Sequence, residues 1–476
     1  MRMQPELRQC PLAEHFCSST GIMAAILLLL YWLYSMSSAV PLTSAPTDIN
    51  QRRIWALAWP VMLSNITVPL LGLVDSAVLG HLPDAVHLGA VAVGAQVFTL
   101  LFWSFGFLRM GTTSLTARAY GQQSNPVQVL QQALWLIIPV LALVLTCALI
   151  AVPLLLPLMG GSAEIQSGAR EYLLIRLTAA PAVLGQYVLT GWFIGLGRTR
   201  IPLIVLTVAN LLNAVLDYFL VFHLHMTSDG VALGSVIADY SGLAVGLWFA
   251  HRHGLVSLGK MPSLTLLKPM LRINRHLFIR TLLLLGVFAF FTAQGARQGE
   301  LVLAANAMLI SLLMLISNGL DGFAHAAETL TGQSLGGKQT EAVIRTVRLT
   351  GINMLFMALL LTLAFALSGS YLFRLLTDNP ALLPVLHEYR WFLFFLPLMG
   401  MPGFWLDGIF IGAQATAQMR NAMILSVLVM FLPLWLLTRE WGNTGLWLAF
   451  YAFMLGRALF MSGTFLTLLR RPQNFM

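Results

Sequence analysis

Mostly apolar stretches, each long enough to cross a bilayer, recur along almost the whole chain. They fall near residues 54–80, 88–108, 129–158, 171–196, 201–223 and 230–250. They resume near 277–296, 301–324, 346–376, 389–413, 421–438 and 444–469. A spanning helix needs about 20 such residues, so the pattern predicts twelve transmembrane helices. In lipid every backbone N–H and C=O must be satisfied within the protein, which points to an all-α polytopic membrane fold. Composition agrees: 58% of residues are hydrophobic and 9% charged, against about 25% charged in soluble domains. The run at 129–158 is longer than a bilayer requires and predicts tilt or an end beyond the lipid.

The net charge of +9 does not imply a nucleic-acid partner, because the basic residues sit in short segments between apolar runs. Met36 onward holds 25 of the 27 Lys and Arg, Arg2 and Arg8 being the other two. With the segment before the first span placed in the cytoplasm, 18 of those 25 fall on the cytoplasmic side, Arg109 and Arg280 among them. Both termini are therefore expected inside. Residues 1–50 read as an N-terminal leader. Within it, 22–34 (IMAAILLLLYWLY) is apolar but short for a span, and a cleaved signal peptide is one reading. The preferred reading starts translation at Met36, with residues 1–35 as upstream sequence. Cys10, Cys17 and Cys147 form no disulfide framework or metal spacing.

The longest polar connection, 251–276, divides the chain into lobes of six spans each, 51–250 and 277–476. The lobes are related. TSLTARAYGQQ (113–123) matches ETLTGQSLGGK (328–338) at an offset of 215 residues, as LGAVAVG (88–94) does LAANAML (303–309). GWFIG (191–195) matches GIFIG (408–412) at an offset of 217. An even number of spans per lobe gives both copies one orientation, so they are parallel repeats about an axis along the membrane normal.

An ionisable side chain at bilayer depth costs about 2.5–3.5 kcal/mol on insertion scales and is a functional candidate by default. Asp75, in the first span, follows an apolar stretch with no cation near it in sequence. Desolvation favours the neutral form of a carboxyl, and a carboxyl that titrates near neutrality can couple a proton gradient to helix movement. Pro60 and Pro69 on the same span each remove a backbone hydrogen bond and are candidate bends. In the fifth span, Asn210, Asn213 and Asp217 are spaced three and four apart and share one helix face. Lining a polar path is the favoured reading, and interhelical bonding the alternative. Asp239, Asp321, Glu328 and Asp407 are further candidates for ion or cavity sites, or members of intramembrane pairs with Arg109, Arg280 or Arg457.

Other motifs are discounted. His223-Leu-His225 and His251-Arg-His253 lack a companion carboxylate or cysteine set, so no metal site is expected. Asn65-Ile-Thr67 lies inside a span and is unusable for glycosylation. GLGRTR (195–200) follows a helix and lacks Gly-Lys-Ser/Thr, and with no Walker motif elsewhere ATP does not drive the chain directly. The 22 Met, 28 Phe and 12 Trp suit lipid contact first and a soft cavity for greasy substrates second.

The first span SNITVPLLGLVDSAVLGHL, the stretch NAVLDYFLV, LDGFAHAAETLTGQSLGG and LDGIFIGAQATAQMRN resemble segments of the multidrug and toxic compound extrusion (MATE) family. The resemblance runs over roughly residues 50–470. It implies a twelve-helix, two-lobe exporter in the bacterial inner membrane that exchanges protons or Na⁺ for drug-like organic molecules. It also implies that the first-helix acid and the Asn-x-x-x-Asp of the fifth helix, here Asp75, Asn213 and Asp217, form the cation-linked site. Acids that some relatives carry on the seventh and tenth helices lack clear counterparts: Gln294 is the nearest polar group in the seventh span, and Asp407 does not match the tenth-helix position. Coupling is therefore expected through the first lobe, by protons, in a monomer with no cofactor. Protonation of Asp75 or Asp217 would weaken its amide contacts and favour a rotation or bend of the first helix. Two rivals stand beside this reading. A flippase for a lipid-linked precursor would want mid-span basic residues, of which few are evident. An integral-membrane enzyme would want a nucleophile–base set or metal cluster, and neither is apparent.

Overall fold

In the computed structural model the described residues are 49–80, 84–159, 162–377 and 379–475. Residues 1–48 of the leader, including the 22–34 run and Met36, lie outside them. The described residues are helical with short connections and contain no strand. The first lobe comprises α1 (Gln51–Gly80), α2 (Ala85–Trp103), α3 (Phe107–Gly121), α4 (Pro126–Leu158), α5 (Ala163–Leu177), α6 (Ala180–Gly195), α7 (Arg200–Phe222) and α8 (Ser228–Arg252). The second comprises α9 (Leu264–Ala296), α10 (Glu300–Gly336), α11 (Thr340–Leu376), α12 (Leu382–Gly412), α13 (Thr416–Leu425), α14 (Leu432–Thr438) and α15 (Gly442–Arg470).

Nine stretches among the described residues are long and apolar enough to cross a membrane, and α5 with α6, bent by 55° at their junction, make a tenth. One of the nine, Thr416–Arg470, has 55 residues. At about 1.5 Å per residue it is more than twice the roughly 30 Å of hydrocarbon and holds two spans. With the 30-residue α1 the helices account for all twelve predicted spans. Three of those spans are not single helices: α2 gives way to α3 around Ser104–Gly106, α5 to α6, and α13 to α14 through a π-helical stretch at Ser426–Phe431. Pro433 has no N–H to close the helical ladder, which accounts for a register change there.

The inter-lobe connection is shorter than its polarity suggests. α9 begins at Leu264, so half of 251–276 extends the seventh span, because nothing after Pro269 breaks the helix. The chain turns instead at His253, whose Nδ1 faces the Phe249 carbonyl at 2.7 Å and whose Nε2 faces Arg198 at 2.5 Å. Burial pushes the His253 imidazole below its ordinary pKa; the Phe249 carbonyl opposes this and the Arg198 charge adds to it.

α1 continues through both Pro60 and Pro69. Pro60 leaves the Ala56 carbonyl without its helical donor, and Thr199 at the start of α7 supplies a hydroxyl 3.5 Å away. α1 packs on α7 in its own lobe and on α10 in the other.

Glycines set the packing of each lobe. A Cβ on Gly191 or Gly195 of α6 would lie 2.4 Å from the Arg109 carbonyl or 2.7 Å from the Thr113 carbonyl of α3. A Cβ on Gly408 or Gly412 of α12 would lie 2.3 Å from the Ala324 or Glu328 carbonyl of α10. The second set follows the first by 217 residues for the glycines and 215 for the carbonyls, the offsets of the sequence repeat. The same relation holds across the lobes. A Cβ on Gly121 would lie 2.1 Å from the Gln333 carbonyl and one on Gly336 2.3 Å from the Arg118 carbonyl. Ser114 donates to the Ile411 carbonyl at 2.6 Å, and Thr329 to the Ile194 carbonyl at 2.9 Å. Ala117 and Gly332 are equivalent residues and touch each other, so the pseudo-twofold axis passes between them. The ends of α3, α6, α10 and α12 thus close one end of the molecule in a reciprocal seal. We predict that Gly336→Ala lowers stability by about 1–3 kcal/mol, the cost of overpacking. Gly463→Ala, with open space around it, should be neutral or stabilising by up to about 1 kcal/mol; detergent-solubilised thermal melts compare the two.

Candidate functional site

The candidate residues of the first and fifth spans meet. The side chains of Asp75 on α1 and Asp217 on α7 lie close enough to interact with each other. Ionised carboxylates only accept hydrogen bonds, so a direct bond between the two needs a proton on one of them. Asn213, one turn before Asp217, is buried beside it. With its amide nitrogen 3.2 Å from Asp217 Oδ2, its oxygen accepts from the Ser235 backbone N–H (3.0 Å) and hydroxyl (3.1 Å) on α8. That orientation gives every polar atom a complementary partner. α8 comes close enough because of Gly234, where a Cβ would lie 2.3 Å from Asp217 Oδ1. Asn210 extends the polar face of α7 and donates to the Thr67 carbonyl of α1 at 3.4 Å.

Behind the acid pair stands a cation. Arg176 on α5 donates to Asp239 Oδ2 at 2.6 Å and lies over the Phe98 ring at 4.2 Å. Asp75, Asp217 and Asp239 all interact electrostatically with Arg176. The buried Tyr172, one turn earlier on α5, shares the field of the same groups. Asp239 is thus a member of an intramembrane pair, and its partner is none of the three arginines that the sequence offered. In sequence Arg176 sits among Arg170, Glu171 and Glu164, which reads as a polar helix end. Only the packing of α5 on α8 turns it towards Asp239.

The second lobe gathers its charges differently. Asp407 Oδ2 on α12 accepts from both Arg280 on α9 and Arg457 on α15, the pairing that the sequence left open. Arg457 is 2% exposed and lies near the Phe404 and Phe453 rings. Two basic residues counted towards the cytoplasmic surface therefore lie inside the bundle: Arg280, held by Asp407, and Arg109, which faces His325 of α10 at 3.2 Å. Asp321 sits among His325, Arg109, Arg280 and Asp407, and the buried Glu328 faces His325 at 3.0 Å. Among the described residues no group of three or more His, Cys, Asp or Glu could hold a metal ion.

The MatE family model matches the chain twice, over residues 60–219 and 277–436, once in each repeat. The chain is 39% identical over 421 residues to DNA damage-inducible protein F (DinF) of Escherichia coli (strain K12), covering 86% of this chain and 91% of that one. It is 26% identical over 431 residues to Protein DETOXIFICATION 44, chloroplastic, of Arabidopsis thaliana, covering 84% and 79%. Among solved structures, the fold resembles the Vibrio cholerae MATE transporter VcmN in the bent form, with a TM-score of 0.76 at 21% identity, covering 89% of this chain and 98% of that one. A multidrug resistance MATE family transporter in an outward-facing conformation gives 0.72 at 21% identity, covering 88% and 96%.

The Arg176–Asp239 pair gives a direct prediction. Arg176→Gln leaves the part-buried Asp239 carboxylate uncompensated and should cost about 1–3 kcal/mol, whereas adding Asp239→Asn should recover most of that loss. Thermal unfolding of the two single variants and the double variant measures the coupling.

Proposed function

The chain belongs to the MATE family, and from that premise we propose that it is a multi-pass secondary antiporter of the bacterial inner membrane. It exports drug-like or toxic organic compounds in exchange for protons. The observation that carries the reading is the meeting of the Asp75 and Asp217 side chains between α1 and α7. While the pair holds a proton, α1 and α7 are joined. When the proton leaves, two like charges face each other in an apolar setting and push apart. The relatives' names, multidrug resistance proteins among them, support the class of cargo.

α1 is the element able to transmit the change. Apart from the acid contact, it reaches the second lobe through Arg53 to Gln333 (3.0 Å), Trp55 to Asn353 (2.9 Å) and Asn65 to the Asn318 carbonyl (3.5 Å). A displacement of α1 by Asp75 therefore alters contacts between the lobes, which is what alternating access needs. The positive-inside count puts both termini and the glycine seal on the cytoplasmic side, so the arrangement described is closed inward. Asp407 is occupied by two guanidinium groups, which favours coupling through the first lobe and protons over Na⁺. The flippase alternative, for which few mid-span basic residues were expected, finds two buried cations in Arg280 and Arg457. Their engagement by Asp407 leaves them poorly disposed to a phosphate head group.

Uptake of an added fluorescent cationic dye into everted vesicles, which is export in the cell's sense, tests the proposal. A proton gradient should drive export and a Na⁺ gradient should not, and Asp75→Asn or Asp217→Asn should reduce proton-driven export about tenfold or more at equal expression. Undiminished export by both variants, or export driven by Na⁺ alone, would refute it.

A further inference from the structure

We propose that His325 is a second proton site, separate from the Asp75–Asp217 pair, whose occupancy decides whether the two lobes are latched beside the glycine seal. The proposal rests on the antiport reading above and extends it from the driving ion to the gate. Its basis is one nitrogen with two incompatible neighbours. His325 Nδ1 lies 3.2 Å from Arg109 Nη1 of the first lobe and 3.0 Å from Glu328 Oε2 of its own helix.

A guanidinium is only a donor, so the bond to Arg109 requires a bare Nδ1 that accepts. A carboxylate is only an acceptor, so the bond to Glu328 requires a proton on Nδ1. One state of the ring therefore ties α3 to α10 across the lobes, and the other ties His325 to Glu328 within α10. The neutral ring can make either bond, according to which nitrogen carries its proton, whereas the protonated ring can make only the bond to Glu328 and stands as a cation against the Arg109 guanidinium.

Position gives the exchange its consequence. The Glu328 carbonyl is the surface on which Gly412 packs, and the next residue, Thr329, bonds across the lobes to Ile194. The latch thus lies about one helical turn from the reciprocal seal. At the repeat offset of 215 residues the counterparts of His325 and Glu328 are Met110 and Thr113. The first lobe builds the same helix packing without them, so the fold itself does not demand a histidine–glutamate pair at this place.

The charged and titratable groups around the ring come from several elements. α3 presents Arg109, with Tyr187 of α6 in its field, and α10 itself presents Asp321 and Glu328. Arg280 of α9 and Asp407 of α12 act on Asp321, and Arg457 of α15 is bound to Asp407. α1 presents Ala58 and Met62 one turn away, at Gly322.

The test places spin labels at Ser124 and Glu341, both exposed and on opposite lobes near the seal, in protein reconstituted into lipid. Distance distributions are recorded at about pH 8 and about pH 5.5, which bracket the ordinary histidine range. Acidification should shift the wild-type closed-to-open ratio about tenfold towards open, and H325Q, which can accept from Arg109 but not titrate, should shift less than about twofold. R109Q should be open at both pH values, and it decides the question should H325Q fail to reach the membrane. A full acid shift in H325Q, or an R109Q that stays closed at both, would overturn the latch. Asp75→Asn in the same labelled background separates the two ideas. Loss of proton-driven export with the acid-dependent widening retained supports a distinct latch, whereas undiminished export defeats the antiport reading whatever His325 does.

Discussion

Two helix backbones can touch only where one of them carries no side chain, and in lipid such contact replaces the hydrophobic drive that holds soluble helices together. In this protein that contact is made twice within the lobes, at Gly191 and Gly195 and again at Gly408 and Gly412, and reciprocally between them, at Gly121 and Gly336. Every other feature of the closed end depends on it. The inter-lobe bonds of Ser114 and Thr329 reach their carbonyls because the backbones are already close, and Arg109 can meet His325 only with α3 against α10. The contact is made by equivalent residues about one axis, so in the proposed alternating access it would have two conditions: the ends meet around Ala117 and Gly332, or they part together.

Charge supplies the means of choosing between those conditions. Two unit charges 4 Å apart repel by about 4 kcal/mol at an effective dielectric of 20, enough for roughly a thousandfold shift in an equilibrium. In the proposed mechanism the Asp75–Asp217 contact would meet that repulsion on losing a proton, and it bears on α1, the helix that touches both lobes. The second lobe answers the same cost in a static way. Asp407 Oδ2 accepts from both Arg280 and Arg457, so it ties α9, α12 and α15 together. In that proposal one lobe carries the carboxyl pair that changes charge and the other a clamp, although their helix packing is the same.

Much of this was legible in the sequence, and the remainder was hidden for physical reasons. Apolar run length and the 215- and 217-residue offsets anticipate the spans and the residues on the axis, because lipid restricts the backbone to helices and equivalent contacts require equivalent residues. The spacing of Asn213 and Asp217 places them on one face, which is a local property. Arg176 was missed because its meaning lies 63 residues away in Asp239, and a polar helix end reads the same whether it faces water or a buried acid. His325 was missed because its inter-lobe partner is 216 residues distant. The breaks in three spans and the early start of α9 depend on proline and on tertiary packing, to which hydropathy is blind.

The central claim is that the carboxyl pair in the first lobe exchanges its proton against cargo. Proton release on substrate binding, measured with a pH dye in weakly buffered, detergent-solubilised protein, tests it most directly. The account predicts about one proton released per substrate bound, and none from Asp75→Asn or Asp217→Asn protein that still binds substrate. Unchanged release from both variants, or substrate binding to wild-type protein with no release at any pH, would contradict it.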